Sequence, residues 1–159
     1  MNQTHIHLLL NHVAILGAIF SFILLLAGSV FGQVVLRKSA LFGLVFSAIV
    51  AVPVFLTGEP AEEAVEHLPG VTESAIHEHE EAGEAAIWVI GVTGIVSAIT
   101  LFLGIGPAGK GRRLLVLVYL LAVMSSVSMA RTGWLGGKIR HSEISSAAPA
   151  NVAGEQDDD

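Results

Sequence analysis

Four apolar runs set the terms on which this chain can fold. They extend from about His7 to Phe31, Ala40 to Leu56, Ala82 to Leu103 and Leu114 to Ala130, each near the roughly 20 residues that cross about 30 Å of hydrocarbon. Lipid offers the backbone no water, so such runs must be helical, and no period-two alternation marks them as barrel strands. The expected fold is all-α, an integral membrane four-helix bundle over residues 1–141, with a kink at Pro53 and a small, polar, disordered tail over 142–159. The 159-residue chain is 53% hydrophobic and 14% charged, far too apolar for an ordinary soluble domain. Its N-terminus, MNQTHIHLLL, has no basic residue before the first run and no cleavage pattern after it, so that run is read as a retained span.

Charge is confined to the aqueous edges. Thr57 to Glu84 carries nine of the fourteen acidic residues and three of the seven histidines, with no Lys or Arg. Arg37 and Lys38 follow the first run, and Lys110, Arg112 and Arg113 precede the fourth. The positive-inside rule then places both basic loops in the cytoplasm and both termini, with the acidic hairpin, on the non-cytoplasmic side of a bacterial inner membrane. The net charge of −6 excludes nucleic acid as a partner. Lipid bilayer, further membrane-complex subunits or copies of the same chain are the partners to expect.

Chemistry is narrowed by what is missing. There is no Cys, hence no disulfide, iron–sulfur cluster or thiolate metal site, and His, Asp, Glu and Met remain as ligands. No Ser sits in a Gly-x-Ser-x-Gly elbow. The spans hold no buried acidic or basic residue that could form a midplane transport site. An electron-transfer or accessory subunit is expected before a stand-alone enzyme.

Histidine placement supplies the positive signal. Counted back from Arg37 and Gly104, His12 and His79 both rise roughly 37 Å at about 1.5 Å per residue. The same height above Ser39 and Arg113 falls near Glu63 and near Lys138 and His141. At 100° per residue, His79 shares a small and partly polar face with Gly83, Ala86, Ile90, Thr93 and Ser97, whereas His77 aligns with Glu81, Glu84 and Trp88. His7 shares a small face with Asn11, Ala14, Ala18 and Ser21, while His12 aligns with Leu16, Ile19 and Ile23. Facing selects His7 and depth selects His12, and both stay candidates. Gly17, Gly43, Gly91 and Gly94 either let helices approach closely or leave a flat slot.

The last run exits through Gly133-Trp134-Leu135-Gly136-Gly137-Lys138 toward Arg140 and His141. Here the chain resembles a family of small four-helix bacterial membrane proteins catalogued only as a domain of unknown function, in which such a glycine-rich signature precedes a basic residue and a histidine. That family carries two histidines five apart in its first helix, often with a proline between them. His7 and His12 have that spacing here, without the proline. Thr57-Gly58 and His77 or His79 match its second loop and third helix. The resemblance implies a four-helix bundle with outward-facing histidines, and no activity.

Two cofactor readings follow. A b-type haem would take its axial ligands from His7 or His12 with His79, His77 or His141 as further candidates, and its propionate partners from Arg131, Lys138 or Arg140. Its role would be electron transfer within a respiratory or other membrane redox complex. A non-haem Zn, Cu or Fe ion would draw on His12, His79, Glu59 and Glu63, although no HExxH or paired ExxH spacing is present. A third possibility is a cofactor-free accessory subunit that docks through the acidic hairpin.

Overall fold

Pairing the four runs into one body requires tight connections. In a computed structural model, which describes residues 3–106 and 109–140, the chain forms α1 (Gln3–Val30), α2 (Val34–Leu56), the short α3 (Gly58–Glu63), α4 (Glu73–Leu103), a 3-10 turn (Lys110–Leu114) and α5 (Leu115–Arg140). His141 and the tail lie outside the described residues. Four of these helices are long and apolar enough to cross a membrane, and the chain is read as a multi-pass membrane protein.

Only three residues join α1 to α2. Gly32 permits this, since its φ of 66° lies where a side chain would be strained. Arg37 and Lys38, expected in that loop, therefore sit in the first turns of α2. At the other end, Thr57-Gly58-Glu59-Pro60 stops α2 and restarts the chain as α3, because Pro60 has no N–H to continue the ladder. Gly70, with φ 85°, turns the hairpin, and the Thr72 hydroxyl accepts from the Ala75 N–H at 3.3 Å to cap α4.

The long helices form a ring in which α1 packs on α2, α2 on α4, α4 on α5 and α5 on α1. Diagonal pairs, such as α1 and α4, face each other across the axis. Their outer surfaces are apolar: Phe20, Ile49, Ile95, Phe102 and Leu120 are all exposed, as lipid-facing residues would be. Inside, packing without a hydrophobic driving force depends on small residues. A Cβ on Gly94 would come within 2.4 Å of the Ala48 Cβ, and Cβ atoms on Gly17 and Gly43 would strike the Ser47 and Ser21 hydroxyls. At these three positions glycine serves close approach. Gly91 has nothing within 4 Å of where its Cβ would be.

Two packed clusters fill the axis. One, toward the basic loops, is built on Leu25, Leu41, Leu44, Leu115 and Val118. The other, toward the acidic hairpin, is built on Ala14, Ala18, Ala51, Ala86, Ile90 and Met129. Buried hydroxyls of Ser21, Ser47, Thr93, Ser97 and Ser125 belong to the same interior, where Thr93 and Ser125 bond each other at 2.7 Å.

Candidate histidine site at the acidic end

At the hairpin end, two imidazoles tie the four long helices together in pairs. His7 on α1 reaches the carbonyl oxygen of Val54 on α2 through Nδ1, at 2.9 Å. His79 on α4 reaches the carbonyl oxygen of Thr132 on α5 through Nδ1, at 3.1 Å. A carbonyl can only accept, so in each ring Nδ1 carries the proton and donates it. That fixes the tautomer with a lone pair on Nε2, the arrangement in which an imidazole serves as a metal ligand. Neither Nε2 has a hydrogen-bond partner among the described residues. Both rings are half-buried, and each lies within electrostatic reach of the other across the diagonal.

Local backbone explains both acceptors. Val54 lies in the last turn of α2, where its carbonyl takes the Thr57 N–H at 3.3 Å and keeps a second lone pair for a side chain. Its oxygen also receives the Thr57 hydroxyl at 3.2 Å. Thr132, by contrast, is within α5, and its carbonyl is reached over Gly136 one turn later. A Cβ on Gly136 would stand 3.0 Å from His79 Cε1. Bare backbone at this position is what admits the ring. Gly58 similarly faces His7, whose Cε1 would lie 3.8 Å from a Cβ there.

The remaining candidates are placed differently. His12 is exposed, and its Nδ1 turns back to the Leu8 carbonyl of its own helix at 2.7 Å. His77 is exposed and faces Glu81 at 3.4 Å and Glu80 at 3.9 Å. Glu59 and Glu63 are exposed. Among the described residues no three His, Asp or Glu side chains come together as a metal-ligand set, so His12, His79, Glu59 and Glu63 are not gathered into one. Arg131 is exposed; Arg140 ends α5, and His141 falls outside the described residues. Lys138 sits 4.7 Å from the centre of the Trp134 ring and 4.0 Å from the Glu78 carboxylate.

Beside the histidines, α3 packs on α1 and meets α4 through the Glu62 and Glu80 carboxyls. An open cleft of about 770 Å³ is lined by Glu62, Glu66, His67, Glu73, Ser74, Ile76, His77 and Glu80. Burial, and then a hydrogen bond to the Glu80 carboxyl and the charges of Glu80, Glu66 and Glu59, push the Glu62 carboxyl up to about 7. The acceptor carbonyls of Val54 and Thr132 and the Glu62–Glu80 pair were not singled out by sequence. Backbone acceptors leave no residue signature, and the carboxyl pair exists only once the hairpin has closed.

Compared with models of known families, with curated proteins and with solved structures, the chain matches none of them.

Proposed function

We propose that this protein holds a b-type haem between His7 and His79 at the hairpin end of the bundle, and passes electrons as a subunit of a membrane redox complex. The observation that carries the reading is the pair of half-buried imidazoles, each with Nδ1 tied to a backbone carbonyl of a neighbouring helix and Nε2 left without a partner. Haem iron ligated by two imidazoles supplies one-electron redox chemistry with no bond made or broken in a substrate.

This chain's own residues do the holding. The Val54 and Thr132 carbonyls fix ring rotation and raise the basicity of Nε2. Gly58 and Gly136 leave bare backbone beside the rings, and the alanine-rich interior beneath them keeps water out. Lys138 and Arg131 stand on α5 at the same end as candidates for propionates. Such a site would lie on the periplasmic side if the basic loops face the cytoplasm. The resemblance to small four-helix membrane proteins fits this reading without adding to it.

The test is the absorption spectrum of protein purified from haem-replete cells. A Soret band with a resolved α-band on reduction is expected, and His79→Ala and His7→Ala should each abolish the low-spin spectrum, while His12→Ala retains it. Colourless protein that stays colourless after haem is added would sink the proposal.

A further inference from the structure

The opposite end of the bundle carries a different unexplained feature. Arg37 lies with its stem against Gly28 of α1, where a Cβ would come within 2.9 Å of Arg37 Cγ. The missing side chain at Gly28 leaves room for the start of that stem. Its Nε is buried and has no hydrogen-bond partner among the described residues. An unmet donor on a permanent cation is costly in such surroundings. No carboxylate of the adjoining sequence relieves it, for no Asp or Glu occurs from Met1 to Gly58 or from Ala85 to Ser142.

Arg37 does not stand alone. It lines a small cavity of about 130 Å³ with Arg112, Val34, Ile105 and Gly106. Arg112 comes from the 3-10 turn before α5 and Arg37 from the first turns of α2, so the two side chains arrive from separate elements. No ion pair engages either of them among the described residues. The cavity also meets the start of α2, whose N-cap, Gln33, makes no side-chain capping bond. The first N–H groups of that 23-residue helix add their positive dipole end to the two arginines.

We infer that this cavity is a binding site for a phosphate oxyanion, presented at the membrane surface by the headgroup of an anionic phospholipid. Paired planar guanidiniums suit phosphate oxygens in a way that lysines do not. Val34 and Ile105 give the cavity an apolar wall, against which the glycerol end of a lipid can rest. The volume admits a tetrahedral oxyanion and few atoms more. A zwitterionic lipid bears the same phosphodiester, but its ammonium would be set against the arginines.

The experiment is thermal unfolding of the full chain in neutral detergent with added phosphatidylglycerol, phosphatidylcholine or inorganic phosphate. Saturating phosphatidylglycerol is expected to raise the Tm by about 5 °C or more, with phosphatidylcholine giving much less. Arg112→Gln should lose most of that shift, whereas Lys38→Gln, which alters an exposed neighbouring charge, should keep it. Arg37→Lys retains the charge without the fork, and is expected to lose most of the shift too. An equal shift from inorganic phosphate at the same concentration would support the site while assigning it to a soluble anion. Equal shifts with both lipids, or Lys38→Gln losing as much as Arg112→Gln, would overturn the inference in favour of diffuse surface charge.

Discussion

Toward the basic loops the bundle is filled mainly by Leu25, Leu41, Leu44, Leu115 and Val118, whereas toward the acidic hairpin Ala14, Ala18, Ala51 and Ala86 predominate, joined by Ile90 and Met129. Large aliphatic side chains interdigitate and hold four helices at a set distance. Alanines let backbones come closer, and leave no side-chain bulk to compete with a ring that must enter the bundle. His7 and His79 are found above the alanine cluster, and each crosses to a neighbouring helix. The two halves therefore divide the work: the leucine half secures the bundle, and the alanine half leaves room beneath the two imidazoles.

That division can be broken most forcefully at Leu44, which is fully buried. Leu44→Ala is expected to cost about 2–5 kcal/mol, measured by reversible unfolding in mixed micelles, and to leave the histidine site unaltered. A cost below about 1 kcal/mol would mean that the leucine half does not bear the load assigned to it. The mirror test adds volume to the other half. Gly136→Ala puts a methyl 3.0 Å from His79 Cε1, so it is expected to cost about 1–3 kcal/mol through overpacking and to push the ring off the Thr132 carbonyl. Gly137→Ala, one residue on, meets nothing within 4 Å and should instead stabilise α5 by roughly 0.5–1 kcal/mol through its lower backbone entropy. If both alanines behaved alike, the signature glycines would serve the helix in general and not the ring.

Hydropathy makes the four spans legible, since each run is near the length lipid requires, and helical facing alone points His79 and His7 to small-residue stripes. Depth misled. Counting from Arg37 matches His79 with His12 only if Arg37 marks the loop, whereas α2 already begins at Val34. Counted from Val30 and Leu103, where α1 and α4 end, His7 and His79 both rise roughly 35 Å at about 1.5 Å per residue. The error was the length of one connection. Gly32 was its clue, as a residue able to turn the chain within three positions. What hydropathy and facing could not reveal is which backbone oxygens lie opposite the rings, or which hairpin carboxyls meet.

The smallest expected effect concerns one of those carboxyls. Glu62 lies on α3 and shares a hydrogen bond with Glu80 at the start of α4, and its pKa is pushed up to about 7 from the usual 4.5. Between those two values the folded chain keeps a proton that the unfolded chain has released, so stability falls as pH rises across that window and changes little from this source beyond it. Glu62 is partly exposed, and solvent screens the pair. The consequence is local: the hold of α3 on α4 should loosen as the shared proton leaves, while the leucine half stays shut. Hydrogen exchange would read this as faster opening of amides over 58–66 at pH 8 than at pH 5, after correction for intrinsic rates, with no change over 115–125. Glu62→Gln keeps a hydrogen-bond donor at every pH and should flatten the difference. If the variant opened with the same pH dependence as the native chain, the hairpin would be held by something other than the carboxyl pair, such as the packing of α3 on α1.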